Sequence, residues 1–408
     1  MLRVKRQCQW TIAVLLLLVL PSFAASVVRG DLISEAQRLE GFCVTPYGSG
    51  SSNYVSPTTP QWAQFKAAAA LFSGDVMLAE SNAVALDYEL VHFTQTSDLR
   101  TFLALRSRET NGAPVRPWGT YFVNPNSAVT ALVAAPHPQF DLRTPLLAAE
   151  IFLKSGARGL LLAGAHRNAN GSNTADPARL TNTIFHAVHE AWSGTNGANT
   201  AWQIHGYSSA GHPEFPSNCL VVLSTGVNGS NIMSTNLVEL NRQLEWNGLK
   251  TYAYNDALAA SDPLNLEVNE GVAGTNFDSL AATENVQGQF SRALGGTFVH
   301  AESATIVRTN VALRTRAADA IANAILLRAT NPPAPASPPR LSSVALLSNQ
   351  FQFSTTTERY RPYLAETRAD LTTGSWSGFY SFPGDGLPRI FTNNPLLNPS
   401  GFFRVRAQ

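Results

Sequence analysis

The segments Ala128-Val-Thr-Ala-Leu-Val-Ala134, Pro145-Leu-Leu-Ala-Ala-Glu-Ile-Phe-Leu-Lys-Ser155 and Gly159-Leu-Leu-Leu-Ala163 follow one another and decide the fold class. The first and third are short, almost wholly apolar and bounded by turn residues, as expected of strands covered on both faces. The middle one is long enough for three helical turns and opens on proline, which suits a first helical position. Strand, crossover helix, strand is the unit of a parallel sheet. The same alternation continues outward. Strands are expected at Thr200-Ala-Trp-Gln-Ile-His205, Cys219-Leu-Val-Val-Leu-Ser224 and Thr297-Phe-Val-His300, with helices at Pro60 to Phe72, Ala178 to Trp192, Ile232 to Trp246 and Ala312 to Ala329. The reading is an α/β layer fold over residues 25–330, a mainly parallel mixed sheet flanked by helices.

Both ends differ from this middle. Arg3, Lys5 and Arg6 precede an apolar run from Trp10 to Leu20, too short to anchor in a bilayer, then Pro21 and the small-residue signature Ser22-Phe-Ala24. Residues 1–24 therefore read as a signal peptide cleaved after Ala24, which makes the mature chain secreted or periplasmic with no membrane span. At the other end Asn331-Pro-Pro-Ala-Pro-Ala-Ser-Pro-Pro-Arg340 has five prolines in ten residues and reads as an extended linker. Residues 341–408 hold short alternating or aromatic strands between turn signals, an all-β module of sandwich type. Trp376, Phe379 and Tyr380 fit its core better than a sugar-stacking surface.

Composition limits the partners. A net charge of +1, with 14% charged residues, supplies no broad field for nucleic acid or anionic lipid. Of three cysteines, Cys8 leaves with the signal, so Cys43 and Cys219 remain as an even pair able to form a disulfide in an oxidising compartment. No Gly-x-Ser-x-Gly elbow stands near a histidine, and no glycine pair forms a phosphate loop after a strand.

Only eight histidines occur, and several end strands or sit in turns, where α/β folds place ligands. Ala135-Pro-His-Pro-Gln-Phe-Asp141 follows a strand and offers His137 and Asp141. Trp202-Gln-Ile-His-Gly206 puts His205 at the end of an apolar strand, beside a glycine that lets a ligand approach. Thr297-Phe-Val-His-Ala-Glu-Ser303 adds Glu302. A catalytic zinc takes three ligands from His and carboxylate, leaves a position for water, and works with a neighbouring carboxylate that moves the proton. His137, Asp141 and His205 would hold Zn2+, with Glu302 as the base. For each histidine alone, a hydrogen-bonded structural role is the competing reading. Ala163-Gly-Ala-His-Arg-Asn168 presents His166 and Arg167 for a substrate carboxylate, and Arg308 is a second guanidinium for that purpose. Either arginine could equally pair within its own fold. His186 and His189, at i, i+3 spacing, read as part of an amphipathic helix, and His212 in Gly211-His-Pro as a turn residue.

The order of a histidine loop, a strand ending His-Gly and a strand carrying Glu resembles zinc carboxypeptidases and the related N-formylglutamate amidohydrolases and acyl-amino-acid deacylases, over roughly Leu132 to Arg308. The resemblance implies an α/β fold, zinc held by His137, a nearby carboxylate and His205, Glu302 as general base, and hydrolysis of an amide or peptide bond in a peptide or small molecule. The carboxypeptidase pattern has Glu three residues after the first histidine. Phe140 stands there, so Asp141, or else Glu150 from the following helix, must serve. The C-terminal module resembles small β-modules on exported proteins of planctomycete and verrucomicrobial type, which implies contact with an envelope component or polysaccharide. An exported protein that binds a ligand without catalysis is the alternative function.

Overall fold

The computed structural model describes residues 26–68, 71–72, 74–193, 200–228, 235–329, 339–347, 350–357, 362–383, 388–393 and 401–407. Residues 1–24, expected to be a signal peptide, and residues 331–338 of the proline-rich stretch lie outside the described residues.

The chain opens with β1 (Ser26–Gly30), helices α1 (Leu32–Phe42), α2 (Thr59–Ala68) and α3 (Val76–Val84), and strands β2 (Tyr88–Gln95) and β3 (Thr101–Ser107). A short hairpin of β4 (Glu109–Thr110) and β5 (Ala113–Pro114) leads to β6 (Thr120–Val123). The segments that decided the fold class follow as β7 (Val129–Ala135), α4 (Thr144–Ser155) and β8 (Ala157–Leu162). Then come α5 (Ile184–Trp192), β9 (Thr200–Tyr207), β10 (Val221–Ser224), α6 (Thr235–Trp246) and β11 (Thr251–Ala253). Helices α7 (Pro263–Asn269) and α8 (Val286–Ala293), strand β12 (Thr297–Ala304), and helices α9 (Thr305–Thr309) and α10 (Val311–Ala329) complete this part.

Ten strands form one sheet in the order β1-β2-β3-β6-β8-β7-β9-β12-β10-β11. Five pairings are parallel and four antiparallel, and the central strands β8, β7, β9 and β12 are all mutually parallel. The antiparallel half built by β2, β3 and β6 was not expected from the sequence. Its strands carry polar residues among the apolar ones, and β2 buries the adjacent Leu90 and Val91 as well as Tyr88, Phe93 and Gln95, with only His92 exposed, rather than alternating cleanly.

Successive side chains of a strand point to opposite faces, and β7 shows what that does here. Ala131, Val133 and Ala135 enter a core shared with α1, α4, α6 and α10, while Leu132 and Ala134 enter a second core with α2, α3 and α5. Burying a Val or Leu completely contributes about 1.5–3 kcal/mol, so β7, fully buried over its last five residues, anchors both layers. Helix α4 starts at Pro145 in its first turn and ends at Gly156, whose φ of 63° is the left-handed conformation a C-terminal glycine supplies cheaply. Helix α5 starts later than the sequence pattern indicated, because the Thr183 hydroxyl caps it by accepting from His186 N at 3.2 Å.

The C-terminal strands β13 (Leu341–Leu347), β14 (Gln350–Thr356), β15 (Pro362–Arg368), β16 (Ser377–Pro383), β17 (Pro388–Asn393) and β18 (Phe402–Ala407) form two three-stranded antiparallel sheets, β13-β14-β17 and β16-β15-β18. One core joins them, with Phe353 and Phe391 from the first and Tyr363, Ala365 and Val405 from the second. Trp376 is half-buried beneath the Arg404 guanidinium, 4.3 Å from its ring centre. The side chains of Phe379 and Tyr380 lie outside the described residues.

The expected cysteine pair is not a disulfide. Cys43, at the end of α1, and Cys219, before β10, are both buried free thiols. Burial pushes the Cys43 thiol well up and the Cys219 thiol up to about 11. Among the described residues no helix is long and apolar enough to cross a membrane.

Candidate metal centre

Parallel strands that end side by side present their following loops at one edge of the sheet. Strands β7, β8, β9 and β12 do so, and a cleft of about 630 Å3 opens there, lined among others by His137, Asp141, Asp176, His205, His300 and Glu302.

The loop after β7 turns tightly, with Asp141 N donating to His137 O at 2.9 Å and Gln139 at a φ of 66°. An i, i+4 closure of this kind brings residue 141, not 140, over residue 137. Phe140 points outward and is 50% exposed at the cleft mouth. Asp141 therefore lies beside His137 and His205, in the group that could hold an ion. Glu150 instead makes a buried ion pair with Arg314 at 2.7 Å, tying α4 to α10.

On β9 and β12 the register does the positioning: Glu302 lies beside His205, and His300 beside Gln203. Glu302 sits inside β12, which runs to Ala304 rather than stopping at His300. His300 was not singled out from the sequence, although two-residue alternation puts it on the same face as Glu302. Its Nε2 is 3.5 Å from Glu302 Oε1 and its ring centre 4.4 Å from that of His205.

Asp141 Oδ2 stands 3.2 Å from His137 Nδ1 and 3.2 Å from His205 Nδ1. The far nitrogen of each ring has its own partner: His137 Nε2 meets Asp176 Oδ1 at 2.8 Å and His205 Nε2 meets Gln203 Oε1 at 2.9 Å. A ring whose Nε2–H is engaged by an acceptor turns a lone pair out at Nδ1. Two such lone pairs and a carboxylate oxygen converge here in a buried site, and that is stable only with positive charge between them. Four donors about 2.0–2.1 Å from a zinc ion stand about 3.3 Å apart at the edges of a tetrahedron, which these spacings match. His137, Asp141 and His205 thus fit a metal ion, and His205, His300 and Glu302 form an adjoining group of similar reach.

The titration shifts follow from this crowding. Burial works against a charge on His137, but Asp141 and Asp176 outweigh it and push His137 up to about 9, so a proton there supplies the missing charge. Burial carries His205 down to about 4 and His300 further below its ordinary value. Burial, reinforced by the charge of Asp141, pushes Glu302 up to about 8. Glu302 Oε2 and His300 Nδ1 are buried and have no hydrogen-bond partner among the described residues.

The other expected site residues divide. Arg167 reaches the cleft, but its guanidinium pairs with Asp176, donates from Nε to Asn173 Oδ1 and lies over the Phe140 ring at 4.8 Å. It braces the carboxylate behind His137. Arg308 also lines the cleft, yet it donates to Leu142 O, to Ser303 O at 3.0 Å and to Tyr207 O at 3.1 Å. Its bulk explains Gly206: a Cβ there would come within 2.2 Å of the guanidinium. The glycine makes room for Arg308, not for a ligand. His166 accepts from Asn168 N at 3.0 Å and does not line the cleft. His212 caps a short turn, stacks on Phe215 and pairs with Glu214 at 2.9 Å. His186 and His189 bond Glu190 and Ser291 within the helical layer.

No family model and no curated protein matches this chain. Among solved structures it is similar to a provisionally assigned metallopeptidase from Shewanella denitrificans, at 10% identity and a TM-score of 0.27, over 62% of this chain and 90% of that one.

Proposed function

We propose that this protein is an exported zinc-dependent hydrolase that cleaves an amide or peptide bond. The observation that carries the reading is the convergence of two histidine Nδ1 atoms on Asp141 Oδ2 at 3.2 Å, beside a buried carboxyl at Glu302. In it, His137, Asp141 and His205 would hold Zn2+, which when bound would acidify a water molecule and polarise a carbonyl. Asp176 and Gln203 keep the two imidazoles oriented. Glu302 takes the water proton on a carboxylate oxygen and gives it to the departing amine; a carboxyl poised near the working pH suits both halves of that transfer.

The substrate reading changes its residue. With Arg167 held by Asp176 and Arg308 by backbone carbonyls, the guanidinium left for a substrate carboxylate is Arg179 at the rim. Its side chain is 55% exposed and pairs with the exposed Glu284 at 3.2 Å. Exposed pairs of that kind are worth about 0–1 kcal/mol, so exchanging Glu284 for a substrate carboxylate costs little. Phe140 at the mouth offers an apolar face for the neighbouring part of a peptide or acyl group. Contact with an envelope component through residues 341–408 belongs to the same reading.

The test is metal analysis of the mature chain, purified without added metal, beside His205→Ala, followed by hydrolysis of N-acyl amino acids and short peptides. About one zinc per chain is expected, the count for a mononuclear site, lost together with hydrolysis in the variant. A folded protein that stays metal-free when zinc is offered would overturn the reading in favour of ligand binding without catalysis.

A further inference from the structure

The orientation of His205 is traceable to fixed points far from it. Its Nε2 faces Gln203 Oε1 at 2.9 Å, but a carboxamide can be turned either way, so something must hold it. One stop is the carbonyl of Pro177, which can only accept. The Gln287 atom 2.8 Å from it is therefore the amide nitrogen. Gln287 Oε1 then accepts from Gln203 at 3.1 Å, which makes that atom of Gln203 its Nε2 and turns Oε1 towards His205. The second stop is Gly288 N–H, which can only donate. It donates to Asn285 Oδ1 at 3.0 Å, leaving Asn285 Nδ2 to donate to Gln203 Oε1. Both stops give the same answer for Gln203.

Gln203, Asn285, Gln287 and His205 are all at least nine-tenths buried, so no solvent relaxes the arrangement. The chain of bonds also runs outward. Gln287 Nε2 lies 3.2 Å from His186 Nδ1, His186 Nε2 lies 3.2 Å from Glu190, and Glu190 meets Lys66 at 2.5 Å. Without Gln203 the ring Nε2 would have no acceptor, and the imidazole would place its proton on Nδ1, where Asp141 Oδ2 accepts it. That tautomer fills with a proton the place where a cation would sit.

We propose that Gln203 is a positioning residue, held by Gln287 and Asn285, that keeps His205 in the Nε2–H form and so aims its Nδ1 lone pair at Asp141 before any cation arrives. The purpose of this device rests on the metal reading above, whereas its test does not.

Full-length protein labelled with 15N-histidine and freed of metal gives ring 15N–1H correlations that distinguish the two tautomers, with the His205 signals identified by their loss in His205→Asn. His205 is expected as Nε2–H in the native chain and in Gln203→Glu, which still presents an oxygen, and as Nδ1–H in Gln203→Leu. Zinc affinity, by competition with a chromophoric chelator, is expected to fall about 10- to 100-fold in Gln203→Leu, the usual effect of losing a group behind a ligand, and to recover in Gln203→Glu. Nδ1–H in the native chain, or Nε2–H in a folded Gln203→Leu, overturns the proposal. If Gln203→Leu does not fold, the native and Gln203→Glu tautomers still decide. Tautomers as described, with zinc bound by none of the three proteins, uphold the role of Gln203 and remove the metal reading instead.

Discussion

In the proposed hydrolysis Glu302 is the residue that moves the proton. Replacing it by Gln keeps its shape and removes its basicity. We expect kcat to fall about 10²- to 10⁴-fold, the usual contribution of a general base, with bound zinc unchanged; loss of zinc in Glu302→Gln would make it a ligand instead. Gly206→Ala tests the packing behind the site. The added methyl collides with Arg308, whose guanidinium is fixed by three carbonyls. Overpacking of this sort costs about 1–3 kcal/mol, seen as a lowered denaturation midpoint. At this scale the sequence was legible where a strand end could be recognised, which located His137, His205 and Glu302. It was silent about Asp176, Gln203 and Asn285. Asp176 lies 39 residues from its histidine and Asn285 lies 82 from Gln203, and nothing local marks an amide as a partner. His300 was legible by strand alternation once β12 was carried past residue 300, and stopping the strand early hid it.

Elements join through buried polar contacts as well as cores. The Glu150–Arg314 pair links α4 and α10, and removing one partner leaves the other charge buried. Glu150→Ala should cost about 3–5 kcal/mol. The double change Glu150→Leu with Arg314→Met should recover much of this, and equal losses in single and double variants would deny the pair its role. Helix α5 supplies a pH test. Burial, with the charge of His186, carries His189 down to about 3, against 6.5 for a free histidine. The unfolded chain takes up this proton first, so His189 favours folding fully above pH 6.5 and progressively less as pH falls from 6.5 towards 3. Urea midpoints should decline across that window, and His189→Gln, which keeps a group able to bond Ser291, should decline less steeply. The parallel elements were readable because continuous apolar strands and intervening helices are strong signals. The strands β2, β3 and β6 were not, since half-polar strands in an antiparallel ribbon resemble loops.

For the whole chain, we propose that the proline-rich stretch 331–340 separates two folded parts. Brief proteolysis of the native protein should cut there first and leave fragments near residues 25–330 and 341–408; first cuts elsewhere would refute that division. Within the larger part, strand order carries a consequence for the order of assembly. β12 is the last of the ten strands along the chain, yet it lies between β9 and β10, pairing parallel to one and antiparallel to the other. β9 and β10 cannot close on each other; they must wait for a strand that begins 90 residues after β9 ends and 73 after β10 ends. Until it arrives, both show unpaired edges, the surfaces on which chains aggregate, and Glu302 and His300 are absent from His205. Such distant pairing is slow. Refolding should therefore show early helical signal and late recovery of zinc uptake, with stalled chains lost to aggregation in proportion to concentration.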